Sequence, residues 1–152
     1  MSGKRDGPTG DGCVAQGTTL KFDASTSFLR RTSKRSHLRD GTVFAEAFLD
    51  RHSTLSLTCR DARLRTEHGL QAYREAKVIM PSGTLPGLCE LTHPDLVEGV
   101  TPALPPWHEP DALDPEYGHL HCNTKKPTDA QAEQMATLAT GNRLLIAATK
   151  RR

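Results

Sequence analysis

Aromatic residues are scarce in this 152-residue chain: one Trp, two Tyr and four Phe. Surfaces that read nucleic acid by stacking bases need several rings close together. Long apolar runs are missing too. No stretch approaches the roughly 20 apolar residues of a transmembrane helix, so no membrane partner is expected. No apolar run of about 7–15 residues follows Lys4-Arg5, so no secretory leader is expected and the chain reads as cytoplasmic. A C-x-x-C pair is absent, which argues against a zinc ribbon or a thioredoxin-like redox site. The four cysteines, at 13, 59, 89 and 122, are accordingly expected as reduced thiols. The GxGxxG, P-loop, GxSxG and HExxH patterns are also absent.

Hydrophobic residues make up 36% of the chain, which is low for a globular protein. The N-terminal stretch explains part of the deficit. MSGKRDGPTGDGCVAQGT holds five Gly, one Pro and few large apolar groups, too little burial to offset the entropy of ordering it. Residues 1–18 are therefore expected as a disordered tail, 19–149 as a single small α+β domain, and 150–152 as a basic tail.

Net charge is only +2, but it is unevenly spread. Residues 1–40 carry eight Lys/Arg against four Asp, and residues 41–76 balance at five against five. Residues 77–124 hold one Lys against seven Asp/Glu, while residues 125–152 hold six basic groups against two acidic ones. An acidic middle thus lies between basic ends. The densest basic run is SFLRRTSKRSHLR, with Arg30, Arg31, Lys34, Arg35 and Arg39. Clustered cations of this kind suit phosphate contacts on a polyanion. Only Phe28 lies nearby as a ring, so a plain solvated face competes with that reading.

Alternation and periodicity place the elements. TLKF at 19–22 reads as a short strand, and Ser25 to Leu38 as a basic helix resting on Phe28 and Leu29. Asp40-Gly41 marks a turn, and Thr42 to Leu49 reads as a short helix. Thr54 to Cys59 alternates Leu55 and Leu57 with Ser56 and Thr58, a strand pattern. Asp61 is placed to cap a helix over 62–76, followed by a strand at 77–80. Residues 81–115 contain eight of the ten prolines and read as a long acidic connection, pinned by Leu85, Leu88 and Leu91. YGHLHC at 117–122 reads as a strand. A helix capped by Thr128 and striped with Ala132, Met135, Leu138 and Ala139 comes next, then a buried strand at 144–148. The sum is one sheet of about four to five short strands with two or three helices.

The sharpest chemical feature is Gly118-His119-Leu120-His121-Cys122. On a strand, His119 and His121 share a face. Such a pair can act as catalytic acid and base, or hold a transition metal if a third ligand joins it. His108, Glu109 and Asp111 are the candidates for that third position. The two-histidine phosphoesterase pattern needs two H-x-[S/T] motifs; His52-Ser53-Thr54 supplies one and His119-Leu120-His121 lacks the hydroxyl. Arg60, at a strand-to-helix junction, can bind an anionic ligand. Trp107, inside TPALPPWHEP, suits a partner-facing loop.

Three readings from different classes compete. The first is a cytoplasmic accessory protein that binds a protein partner through a basic face and the Pro-rich acidic loop. The second is a small histidine- or metal-dependent hydrolase, phosphoesterase-like, centred on His119 and His121. The third is a nucleic-acid binder using Arg30 to Arg39. The first is preferred, because neither alternative shows a complete constellation.

Overall fold

The computed structural model describes residues 14–16, 19–49, 51–76, 83–113, 120–141 and 144–150. They begin with strands β1 (Val14–Gln16), β2 (Thr19–Lys21), β3 (Ser27–Thr32), β4 (Leu38–Arg39) and β5 (Thr42–Val43). A 3-10 turn over Ala45–Phe48 leads to β6 (Thr54–Cys59). A second 3-10 turn, Ala62–Arg65, leads into helix α1 (Glu67–Glu75). Strands β7 (Thr84–Leu85) and β8 (Gly87–Thr92) follow, then a π turn over Asp95–Gly99 and strands β9 (Trp107–Leu113) and β10 (Leu120–Lys125). Helix α2 (Asp129–Gly141) precedes the short strands β11 (Leu145–Ile146) and β12 (Thr149–Lys150).

One antiparallel sheet of six strands, in the order β11-β8-β3-β6-β10-β9, organises this α+β domain. It is larger than the four to five strands expected. Alternation in β6 sets the layers. Leu55, Leu57 and Cys59 join Phe28, Cys89, Leu91 and Cys122 on one face, beneath Ala132, Met135, Ala136 and Ala139 of α2. Phe48, Leu96, Val100 and Leu104 close that layer. The opposite face carries Leu29 and Leu88, covered by Leu64, Leu70 and Tyr73. Each fully buried Leu or Phe contributes roughly 1.5–3 kcal/mol, so these two layers drive the fold.

Local chemistry explains the element starts. The Asp61 carboxylate accepts from the Arg63 and Leu64 amides, so it caps the 3-10 turn, while Thr66 caps α1 through Gly69. Thr128 and Gln131 exchange side-chain-to-amide bonds of 2.8 and 3.1 Å, a reciprocal cap at the start of α2. Asp40 and Gly41 both take positive φ, 53° and 76°, as the two-residue β4–β5 hairpin turn requires.

Several expectations are corrected. Ser25 to Leu38 is not a helix: β3 occupies its middle, and a turn and β4 follow. Residues 81–115 are not one long connection, because β8 lies inside the sheet between β11 and β3, and β9 forms an edge. The tail boundary at residue 18 cuts a hairpin, since Val14–Gln16 pairs with Thr19–Lys21. Cys89 and Cys122 are free, but Cys59 is disulfide-bonded. The strand expected at 77–80 lies outside the described residues, as do residues 1–13 and 151–152. Among the described residues, no helix is long and apolar enough to cross a membrane.

Candidate functional site

The site grows from a split in the sheet. β3 pairs with β6 only at Phe28↔Cys59 and Leu29↔Thr58. With β8 it keeps register from Ser27↔Thr92 to Thr32↔Gly87. Beyond Leu29, then, β3 and β6 part. Arg30 bridges the start of the gap: Nε donates to the Ala47 carbonyl at 2.9 Å and Nη1 to the Ser56 carbonyl at 3.1 Å. These two carbonyls satisfy buried donors without cancelling the guanidinium charge, since both are neutral.

The gap opens into a cleft of about 430 Å3 walled by Arg30, Arg31, Lys34 and Arg51. His37, Ser33, Thr32 and Leu49 lie between these cations. Among the described residues, Arg31 and Lys34 meet no carboxylate within ion-pair distance. No described residue lining the cleft is acidic, and none is Phe, Tyr or Trp. Asp50, between Leu49 and Arg51 in sequence, lies outside the described residues. Four like charges around one concavity raise the local concentration of anions and favour multidentate contact.

A short turn holds the cleft's outer wall. The His37 amide donates to the Lys34 carbonyl at 3.0 Å, and the Ser33 amide donates to His37 Nδ1 at 3.1 Å. His37 Nε2 lies 3.7 Å from Glu46 Oε2, the same oxygen that accepts from Ser36 Oγ at 2.7 Å. Burial pushes the His37 imidazole below its ordinary value; Glu46 pulls it back in part, and Arg30 and Lys34 push it down further. Deeper in, Thr32 is 1% exposed and its hydroxyl has no hydrogen-bond partner.

The basic run therefore divides. Arg30, Arg31 and Lys34 line the cleft, whereas Arg35 and Arg39 do not. The Arg39 guanidinium lies over the Phe44 ring, 5.1 Å from its centroid. Arg60 is engaged inside the protein. Its Nη1 meets Glu90 Oε2 at 3.0 Å and its Nε donates to the Leu64 carbonyl at 3.0 Å, so an internal carboxylate already answers its charge. Arg51 and His37 were missed in the sequence. Arg51 comes from a segment 20 positions beyond Arg31, and nothing local announces that the two meet.

The histidine pair is only half described. His121 sits in β10 opposite Thr58, whose hydroxyl meets the Tyr73 hydroxyl at 2.7 Å. Strand alternation sets His121 on the other side of the sheet from the buried Cys122. His108 pairs with Cys122 and so lies on the side away from His121. His119 lies outside the described residues. Among the described residues, no group of three or more His, Cys, Asp or Glu is placed to hold a metal. Trp107, at the start of edge strand β9, is 39% exposed. Comparison with protein-family models, with curated proteins and with solved structures yields no match.

Proposed function

We propose that this chain is a non-enzymatic binding protein whose working surface is the basic cleft, and that its ligand is a polyanion. One observation carries the reading: four cationic side chains converge on one concavity, and Arg31 and Lys34 have no carboxylate partner among the described residues. Cations gathered around one concavity attract an anion into it. The Pro-rich segment is no longer offered as a docking loop, since β8 and β9 take much of it into the sheet.

Retention on phosphocellulose tests this. Wild-type protein should bind at low salt and elute steeply as salt rises, because exposed charge contacts are screened. Arg31→Glu combined with Arg51→Glu should abolish retention, while Arg35→Glu should leave it unchanged. No retention of the wild type at low salt would remove the reading. So would an Arg35→Glu loss as large as that of the cleft pair.

A further inference from the structure

We infer that the cleft takes a compact oligophosphate, a di- or triphosphate group either free or carried by a nucleotide, rather than a nucleic-acid strand. The inference rests on the polyanion reading above and narrows it.

Size is the first argument. A cleft of about 430 Å3 falls within the range of small-ligand sites. Its cations surround one volume instead of forming a track along which a backbone would run. Chemistry is the second. Proteins that hold single strands stack bases on exposed rings; the one ring among the described lining residues is the His37 imidazole, whose side chain is only 14% exposed. Leu49, 37% exposed, is the apolar contact on offer. A phosphate chain asks for cations and hydrogen-bond donors, and these are what the walls supply.

Preorganisation is the third. Arg30 is pinned by the Ala47 and Ser56 carbonyls, so its charge is already in place before a ligand arrives. Thr32 is a cleft-lining residue, but its hydroxyl is closed off from solvent and faces Gly87, so it is a fixed part of the wall and not a ligand contact. Arg31 and Lys34 reach the outer oxygens as flexible exposed side chains.

Titration calorimetry on the full chain separates the outcomes, using tripolyphosphate, ATP, orthophosphate and a mixed-sequence oligonucleotide as probes. Tripolyphosphate should bind one to one. ATP should match it within about threefold, because the one ring on the walls, His37, is too buried to stack on a base, and orthophosphate should bind at least about tenfold more weakly. Arg31→Gln and Arg51→Gln, both at exposed side chains, should each weaken tripolyphosphate, with circular dichroism confirming the fold; Arg39→Gln should not. If the oligonucleotide binds through Arg31 and Arg51 while tripolyphosphate does not, the oligophosphate inference is overturned and the polyanion reading stands. If ATP binds far more tightly than tripolyphosphate, the base is being read and the inference is also overturned. If no probe binds, both fall together.

Discussion

Arg30 on β3 donates from Nη1 to the backbone carbonyl of Ser56 on β6, 3.1 Å away, where the two strands have stopped pairing. A side chain here does what ladder bonds do elsewhere, and the split it bridges is the mouth of the cleft. Arg30→Met keeps the aliphatic stem but orphans the Ser56 and Ala47 carbonyls. The expected loss is about 1.5–3 kcal/mol for a charge-assisted bond of this kind, read from urea denaturation. Arg30→Lys should recover less than half of it, because one ammonium cannot reproduce a guanidinium's fixed two-point geometry.

Thr32 carries a cost in the free protein. Its buried hydroxyl has no partner, and such a group costs about 1–3 kcal/mol relative to hydration. Thr32→Val keeps the shape and removes the hydroxyl, so the free protein should gain about 1 kcal/mol, seen as a higher melting temperature. Tripolyphosphate binding should be unchanged in the same variant, because the hydroxyl faces Gly87 and is closed off from the cleft. No stability gain would mean that the hydroxyl finds an acceptor in solution.

Gly87, paired with Thr32, has room for no side chain. A Cβ there would run into the Ile146 carbonyl, the Thr32 hydroxyl and the Ala148 amide. Two of those neighbours are backbone and cannot swing away. Gly87→Ala should therefore destabilise by about 1–3 kcal/mol in urea titration, as overpacking does.

Where the sheet shows one polar and one apolar side, the sequence was readable. β6 alternates Leu55 and Leu57 with Ser56 and Thr58, and it was placed over Thr54–Cys59 as observed. The Asp61 and Thr128 caps were readable because capping is local chemistry. β3 and β8 were not. Both are covered on two faces, so Phe28 and Leu29, or Leu88 and Cys89, are buried side by side and the period-two signal vanishes. The density of prolines misled as well: Pro86 and Pro94 bound β8 without entering it. Arg30, Arg31 and Lys34 stood out as a basic run, but their meeting with Arg51 is a product of topology. No spacing rule reaches it.

The Arg60–Glu90 pair is an ion pair with both partners largely buried, their side chains only 15% and 9% exposed. Glu90→Ala strands a buried guanidinium and should cost about 3–5 kcal/mol. Arg60→Met with Glu90→Leu together should recover most of that, because the desolvation of both charges disappears with the pair. A double-mutant cycle in guanidinium chloride measures the coupling. A single Glu90→Ala loss below about 1 kcal/mol would mean that water reaches the pair and screens it.

His37 gives the fold a pH dependence whose sign follows from its surroundings. Its folded value lies below the ordinary 6.5, because burial disfavours the imidazolium more than Glu46 favours it, and Arg30 and Lys34 add smaller repulsions. The unfolded chain therefore binds the proton first, and stability is fully present above about pH 6.5 and falls as pH drops through the folded value. Protonation at Nδ1 also removes the acceptor that the Ser33 amide uses, so the turn carrying Lys34 loosens in the same window. The urea midpoint should decline below pH 6.5 in the wild type, and His37→Gln should flatten that decline. Saturating tripolyphosphate should shrink it in part, since an anion beside Arg30 and Lys34 offsets their share of the lowering, while the larger share from burial remains. A decline that His37→Gln leaves untouched would assign the pH dependence to another group.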